Sequence, residues 1–349
     1  MMKKVMLSLG LVGFLLGLTA CGGSNSASEE APTELVVSTW GFAEDFFRSE
    51  VYAPFEEEHN VKIVLDTGNN AERLSRIEQG SSKVDVIYLS DYYAQQGIEA
   101  GLFETIDHSN IPNIDEIYEM AKAPLGAEYG PAYTVAQFGI AYNPAATDLE
   151  ISSWADLWNS ELARNITIPG ITTTSGPMFL DVASRVAGEP TFNEDAAFEK
   201  LVELNPNVVT EYGGTSEFVN MFVQGEIAAG PIMEMFFSQV QDSVEEAKFV
   251  SPEEGGYAVI NTVNIVKGTE NKELAEKFIN WHLSKEVQEA AAISKIDSPV
   301  NTTLDLTEEE AAGLTYGADV VESLILLDME FVNENNDTWI DRWNRELTK

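Results

Sequence analysis

Short β-rich runs alternate with stretches of helical spacing through the first third of the chain. Leu35 to Thr39 reads as a strand, and from Phe42 to His59 the apolar residues Phe42, Phe46, Phe47, Val51 and Phe55 recur at helical intervals interrupted by Pro54. Val61 to Leu65 forms a second strand, Asn69 or Asn70 caps a helix through Gln79, and Val84 to Leu89 forms a third strand ending at Ser90-Asp91-Tyr92-Tyr93. Strand, helix, strand, helix, strand is the grammar of a parallel sheet with helices on both faces.

The pattern changes where Gly130-Pro131 introduces an extended stretch, Ala132 to Tyr142, with alternating and β-branched residues. A second α/β segment follows: Trp154 to Trp158, a strand at Asn165 to Ile168, a Gly/Thr/Ser loop at Gly170 to Gly176 and a helix from Pro177 to Val186. Phe218 to Gln224 and Phe236 to Val244 read as helices around a strand at Ile227 to Ile232. Gly255-Gly256 precedes a strand from Tyr257 to Val266, and Lys272 to Leu283 and Lys285 to Ala292 are helices of alternating charge. About 315 foldable residues exceed a comfortable single core and favour two lobes. The two extended segments, near Tyr133 to Gln137 and Ala258 to Thr262, are the expected crossings between them. The expected organisation is lobe 1 at 34–134 and 260–301, lobe 2 at 135–259, and C-terminal helices at 302–349 packed on lobe 2.

The N-terminus follows another logic. Lys3 and Lys4 precede an apolar stretch from Val5 to Gly17, and then Leu18-Thr19-Ala20-Cys21, the layout of a secretory signal too short to span a bilayer. Cys21 is the single cysteine of the chain, so no intramolecular disulfide can form. Residues 1–20 are expected to be a signal peptide and residues 21–33, rich in Gly, Ser and Glu, a flexible tether.

Composition narrows the partners. The net charge of −38 argues against nucleic acid, whose phosphates need clustered Lys and Arg. The acids are spread along the chain, which suits solubility in a salty or alkaline exterior better than one cation-attracting tract. No Gly-x-Ser-x-Gly elbow, His-Glu-x-x-His motif or catalytic cysteine points to an enzyme. His59, His108 and His282 stand in surface-like contexts without metal spacing, and no cofactor or metal is expected.

Leu18-Thr19-Ala20-Cys21-Gly22 resembles the bacterial lipobox, which implies a lipidated Cys21. Trp40-Gly41, Val84-Asp85-Val86-Ile87, Ser90-Asp91-Tyr92 and Gly101-Leu102-Phe103-Glu104 resemble, in order, bacterial extracellular solute-binding proteins of the spermidine/putrescine type. Ser153-Trp154-Ala155-Asp156-Leu157-Trp158, Glu254-Gly255-Gly256 and Phe278-Ile279-Asn280-Trp281 extend the resemblance. It implies an α/β, two-lobed fold of the type II periplasmic-binding-protein kind, each lobe a mainly parallel sheet flanked by helices, closing on its ligand at a hinge. It further implies a monomer held to the membrane by lipid, serving the membrane permease of an ABC importer, with a polyamine or related cationic amine as cargo.

The candidate ligand contacts are Trp40, Ser90, Asp91, Tyr92, Thr173, Ser175, Glu234 and Asn261. Trp40 either stacks on an alkyl amine or plugs the core beside Phe42. Asp91 either pairs with an ammonium or caps a helix, while Tyr92 lines the carbon chain or packs in the core; the resemblance implies contacts at Ser90 and Tyr92. Gly170 to Pro177 offers hydroxyls and backbone N–H groups at a helix start, which suit an anionic group such as a carboxylate or phosphonate, and Ser175 could instead simply cap the helix. In this it looks more like the Ser-Gly loops of binders for iron complexes, thiamine or phosphonates. Val259 and Asn261 stand where polyamine binders present a tryptophan and an aspartate; Glu234 is the candidate replacement for the lost charge.

Overall fold

The computed structural model describes residues 31–81 and 83–347. The signal segment, Cys21 and the tether to residue 30 lie outside the described residues. The body is a mixed α/β structure with nine strands: β1 (Thr33–Thr39), β2 (Val61–Thr67), β3 (Val86–Ser90), β4 (Ala132–Tyr142), β5 (Ile166–Pro169), β6 (Val208–Tyr212), β7 (Ala229–Met233), β8 (Lys248–Val250) and β9 (Tyr257–Ile265). Their order is β2-β1-β3-β9-β4-β7-β5-β6, with β8 paired to β4. β1 is parallel to β2 and β3, and β5 is parallel to β6 and β7. The antiparallel pair β4 and β9 joins these two parallel halves, in register from Phe138 opposite Tyr257 to Thr134 opposite Asn261.

The cores divide along these strands. Leu35, Val37, Val51, Phe55, Val86 and Phe278 belong to one core, which reaches β4 at Tyr133 and Val135. Phe138, Ile140, Trp154, Ile166, Phe179 and Phe198 belong to another, which begins on β4 at Ala136. At about 25 cal/mol per Å2 of apolar surface removed from water, burial of these side chains is the main favourable term holding each half together. The boundary expected at residue 302 does not coincide with this partition. Val321 and Leu324 pack in the first core, whereas the helix Met329–Glu346 sends Met329, Val332, Trp339 and Trp343 into the second.

Local chemistry explains most element boundaries. Asn69 caps the helix Asn70–Glu78 through a reciprocal pair in which its side chain accepts from the Glu72 N–H and the Glu72 carboxylate accepts from its own N–H. Pro54 lies at the second residue of the helix Ala53–His59, directly after a wider π-helical stretch, Phe47–Tyr52. The helix Glu194–Leu204 and the edge strand β6 were not foreseen in the sequence.

Candidate functional site

Strands β1 and β3 from one half and β5, β6 and β7 from the other run toward a common cleft with their carboxyl ends, where open α/β sheets leave loop side chains and helix starts free for ligands. The cleft measures about 530 Å3. One wall carries Trp40 after β1, Tyr88 and Ser90 of β3, Tyr93, Tyr133 of β4 and Asp297. The other carries Thr172 to Ser175 after β5, Tyr212 of β6, Thr215, Phe218 and Met233. Val259 and Asn261 line it from β9.

On the first wall the aromatic rings are braced from behind. Trp40 lies 6.5 Å from the Tyr88 ring, and the guanidinium of Arg73 sits 4.8 Å from the indole centroid. Arg73 is itself fully buried, with Nη1 donating to the Ser38 and Tyr88 carbonyls, Nε to the Gly68 carbonyl and Nη2 to Asn70 Oδ1. Burial without a carboxylate partner lowers its pKa to about 10, so it stays cationic at neutral pH. Tyr88 meets Tyr133 edge to face at 4.9 Å and shares a 2.6 Å hydrogen bond with His282 Nδ1. His282 is only 2% exposed, and burial depresses its pKa to about 3, which keeps the imidazole neutral. The surface context expected for His282 is thus corrected: its ring supports the tyrosines beneath the cleft.

Five of the eight candidate residues line the cleft: Trp40, Ser90, Thr173, Ser175 and Asn261. Ser90 and Asn261 are direct cross-strand partners of β3 and β9. Ser90 is 3% exposed and its hydroxyl has no hydrogen-bond partner, although the residue occupies the N-cap of the helix Asp91–Glu99. An unmet buried hydroxyl is costly, and here it borders the cleft. Thr173 donates to the Gly170 carbonyl at 2.8 Å, and its hydroxyl lies 3.4 Å from that of Ser175. Ser175 makes no side-chain cap to the helix Gly176–Val186. The loop turns back tightly: a Cβ at Gly176 would come within 2.6 Å of the Gly170 carbonyl oxygen.

The other three lie elsewhere. Asp91 is buried outside the cleft lining, its carboxylate accepts the Tyr92 N–H at 2.8 Å, and burial raises its pKa to about 7. Tyr92 faces the helix Met329–Glu346, accepting from Asn336 Nδ2 at 2.8 Å, while its neighbour Tyr93 turns into the cleft. Glu234 does not line the cleft; it accepts from the Thr315 hydroxyl and borders an adjoining recess of about 150 Å3. These placements correct the sequence expectation for all three residues, because a helical or 3₁₀ start rotates successive side chains by roughly 100° to 120°.

The carboxylate that does face the cleft is Asp297, which the sequence reading missed. It is 7% exposed, burial raises its pKa to about 7, and among the described residues no hydrogen bond or ion pair reaches its side chain. Its charge is felt at Tyr88 and Tyr133, whose hydroxyl pKa values are raised chiefly by burial. Among the described residues there is no cluster suited to a metal ion, and no helix is long and apolar enough to cross a membrane.

Two parallel half-sheets joined by paired antiparallel strands, with an aromatic cleft at the strand ends, define a two-lobed solute-binding fold. Residues 81–323 match the family of bacterial extracellular solute-binding proteins, and the chain belongs to that family. Its structure is similar to that of an ABC transporter from Clostridium perfringens, with 46% sequence identity, a TM-score of 0.82, and coverage of 90% of this chain and 99% of that one. A spermidine/putrescine ABC transporter substrate-binding protein from Streptococcus pneumoniae shares the fold at 21% identity and a TM-score of 0.74, covering 88% of this chain and 98% of that one. Spermidine/putrescine-binding periplasmic protein 1 of Haemophilus influenzae is 24% identical over 88% of this chain and 89% of its own length. The protein is therefore an extracellular solute-binding component for ABC transport, and not an enzyme.

Proposed function

We propose that this protein is a lipid-anchored, monomeric receptor that captures a small cationic amine between two hinged lobes and delivers it to the permease of an ABC importer. The observation that carries the ligand class is Asp297, a buried carboxylate without a partner on a wall of aromatic rings. An ammonium group would supply the missing counter-charge while Trp40, Tyr88 and Tyr133 shelter its carbon chain. The names of the polyamine-binding relatives support the same class. A purely anionic cargo is disfavoured, since no Lys or Arg lines the cleft among the described residues. The partition of the cores along β4 supports a hinge there, and Leu18-Thr19-Ala20-Cys21 supports the anchor, which Cys21→Ser would release from the membrane fraction.

Calorimetry of the soluble body with a panel of straight-chain amines, repeated on Asp297→Asn, tests the reading. At least one amine is expected to bind, with a hundredfold or greater loss in the variant. A variant that binds as tightly as the wild type would remove Asp297 from the site and with it the basis for the cationic class.

A further inference from the structure

The cleft holds a single charge. Among the described residues that line it, Asp297 is the only acidic or basic side chain. Two other carboxylates nearby, the buried Asp91 and the half-buried Glu234, are committed elsewhere, Asp91 to the start of its own helix and Glu234 to the Thr315 hydroxyl. The wall opposite the aromatic rings presents oxygen and amide chemistry without charge: the hydroxyls of Thr172, Thr173, Thr174, Ser175 and Thr215. Ser90 adds an unpartnered hydroxyl and Asn261 a carboxamide, side by side between the two walls.

A small amine with two ammonium groups needs two counter-charges once the lobes exclude water, because an unpaired ion in a low-dielectric site is heavily penalised. This cleft supplies one. A hydroxyl wall instead matches a hydrogen-bonding group that carries no positive charge. Building on the proposed receptor role, we propose that the cargo is a monocationic amine whose far end is an uncharged oxygen-bearing group, and that the cleft selects against diamines of the same length.

The test is calorimetry at pH 8 with N-acetylputrescine, 4-amino-1-butanol, putrescine and spermidine. The monocations are expected to bind at least tenfold tighter than putrescine. Asn261→Asp, which places a second carboxylate in the cleft, is expected to raise putrescine affinity about tenfold. Putrescine or spermidine binding tighter than both monocations in the wild type overturns this inference. If that tight binding is also lost in Asp297→Asn, the receptor reading stands while the selectivity falls. Binding of none of the four amines overturns both. Thermal melts of each variant separate a change of selectivity from a failure to fold.

Discussion

The two walls of the cleft differ in how completely their polar atoms are satisfied. On the wall built by Thr172 to Ser175, the Thr173 hydroxyl is engaged with the loop that carries it, donating to the Gly170 carbonyl and lying 3.4 Å from that of Ser175. On the opposite wall the Ser90 hydroxyl is buried with no partner, and the Asp297 carboxylate, on a residue only 7% exposed, has no hydrogen bond or ion pair among the described residues. Buried polar groups without partners are uncommon in native proteins, and each calls for an explanation.

That contrast is sharpened first by stability. Burial raises Asp297 from an ordinary 3.8 to about 7. Below about pH 4 the carboxyl is protonated in both folded and unfolded chains, so it imposes no penalty there. Between pH 4 and 7 the folded state retains a proton that the unfolded chain has released, so stability falls as pH rises, and above about pH 7 the whole penalty is present. Ligand-free Asp297→Asn is therefore expected to exceed the wild type in stability at pH 8 by something on the order of 4 kcal/mol, less the cost of burying the amide, with the gap closing below about pH 4. Denaturant melts at both pH values measure it, and equal stabilities at pH 8 would show that the carboxylate bears no burial penalty.

Binding gives the next effects. Asp297→Asn is expected to lose about 3 kcal/mol of amine affinity, the scale for removing one partner of a desolvated charge pair. Trp40→Ala should cost roughly 1 to 2 kcal/mol through lost cation–π and alkyl contact. Thr173→Ala and Ser175→Ala should each cost about 0.5 to 1.5 kcal/mol. Asp91→Asn and Glu234→Gln, which lie outside the cleft lining, should leave the affinity within about 0.5 kcal/mol; a loss comparable to that of Asp297→Asn would place their charges in the site after all.

Much of the frame was legible in the chain. Alternation from Ala132 to Tyr142 coincides with β4, and strands ending at Thr39 and Ser90 lead to the cleft because parallel strands deliver their carboxyl ends to one edge. The cleft lining was legible where backbone direction decides it, as for Trp40, Ser90 and Asn261. Asp91, Tyr92 and Glu234 sit one or two positions from residues that do face the cleft, Ser90, Tyr93 and Met233, and the turn of a helix start separates them. Asp297 carried no local signal: it follows the helix Lys285–Ile293 in a stretch that reads as turn chemistry, and long-range packing alone brings it beside Tyr88 and Tyr133.

The most direct measurement is a carbon-13 NMR titration of the Asp297 side-chain carboxyl, free and with a saturating amine, assigned by its loss in Asp297→Asn. A midpoint near pH 7 is expected in the free protein, as the burial of this carboxyl implies, falling by roughly two or more units when an ammonium pairs with it. An ordinary midpoint near pH 4 in the free protein, or one that does not move when a bound amine is present, would contradict this expectation.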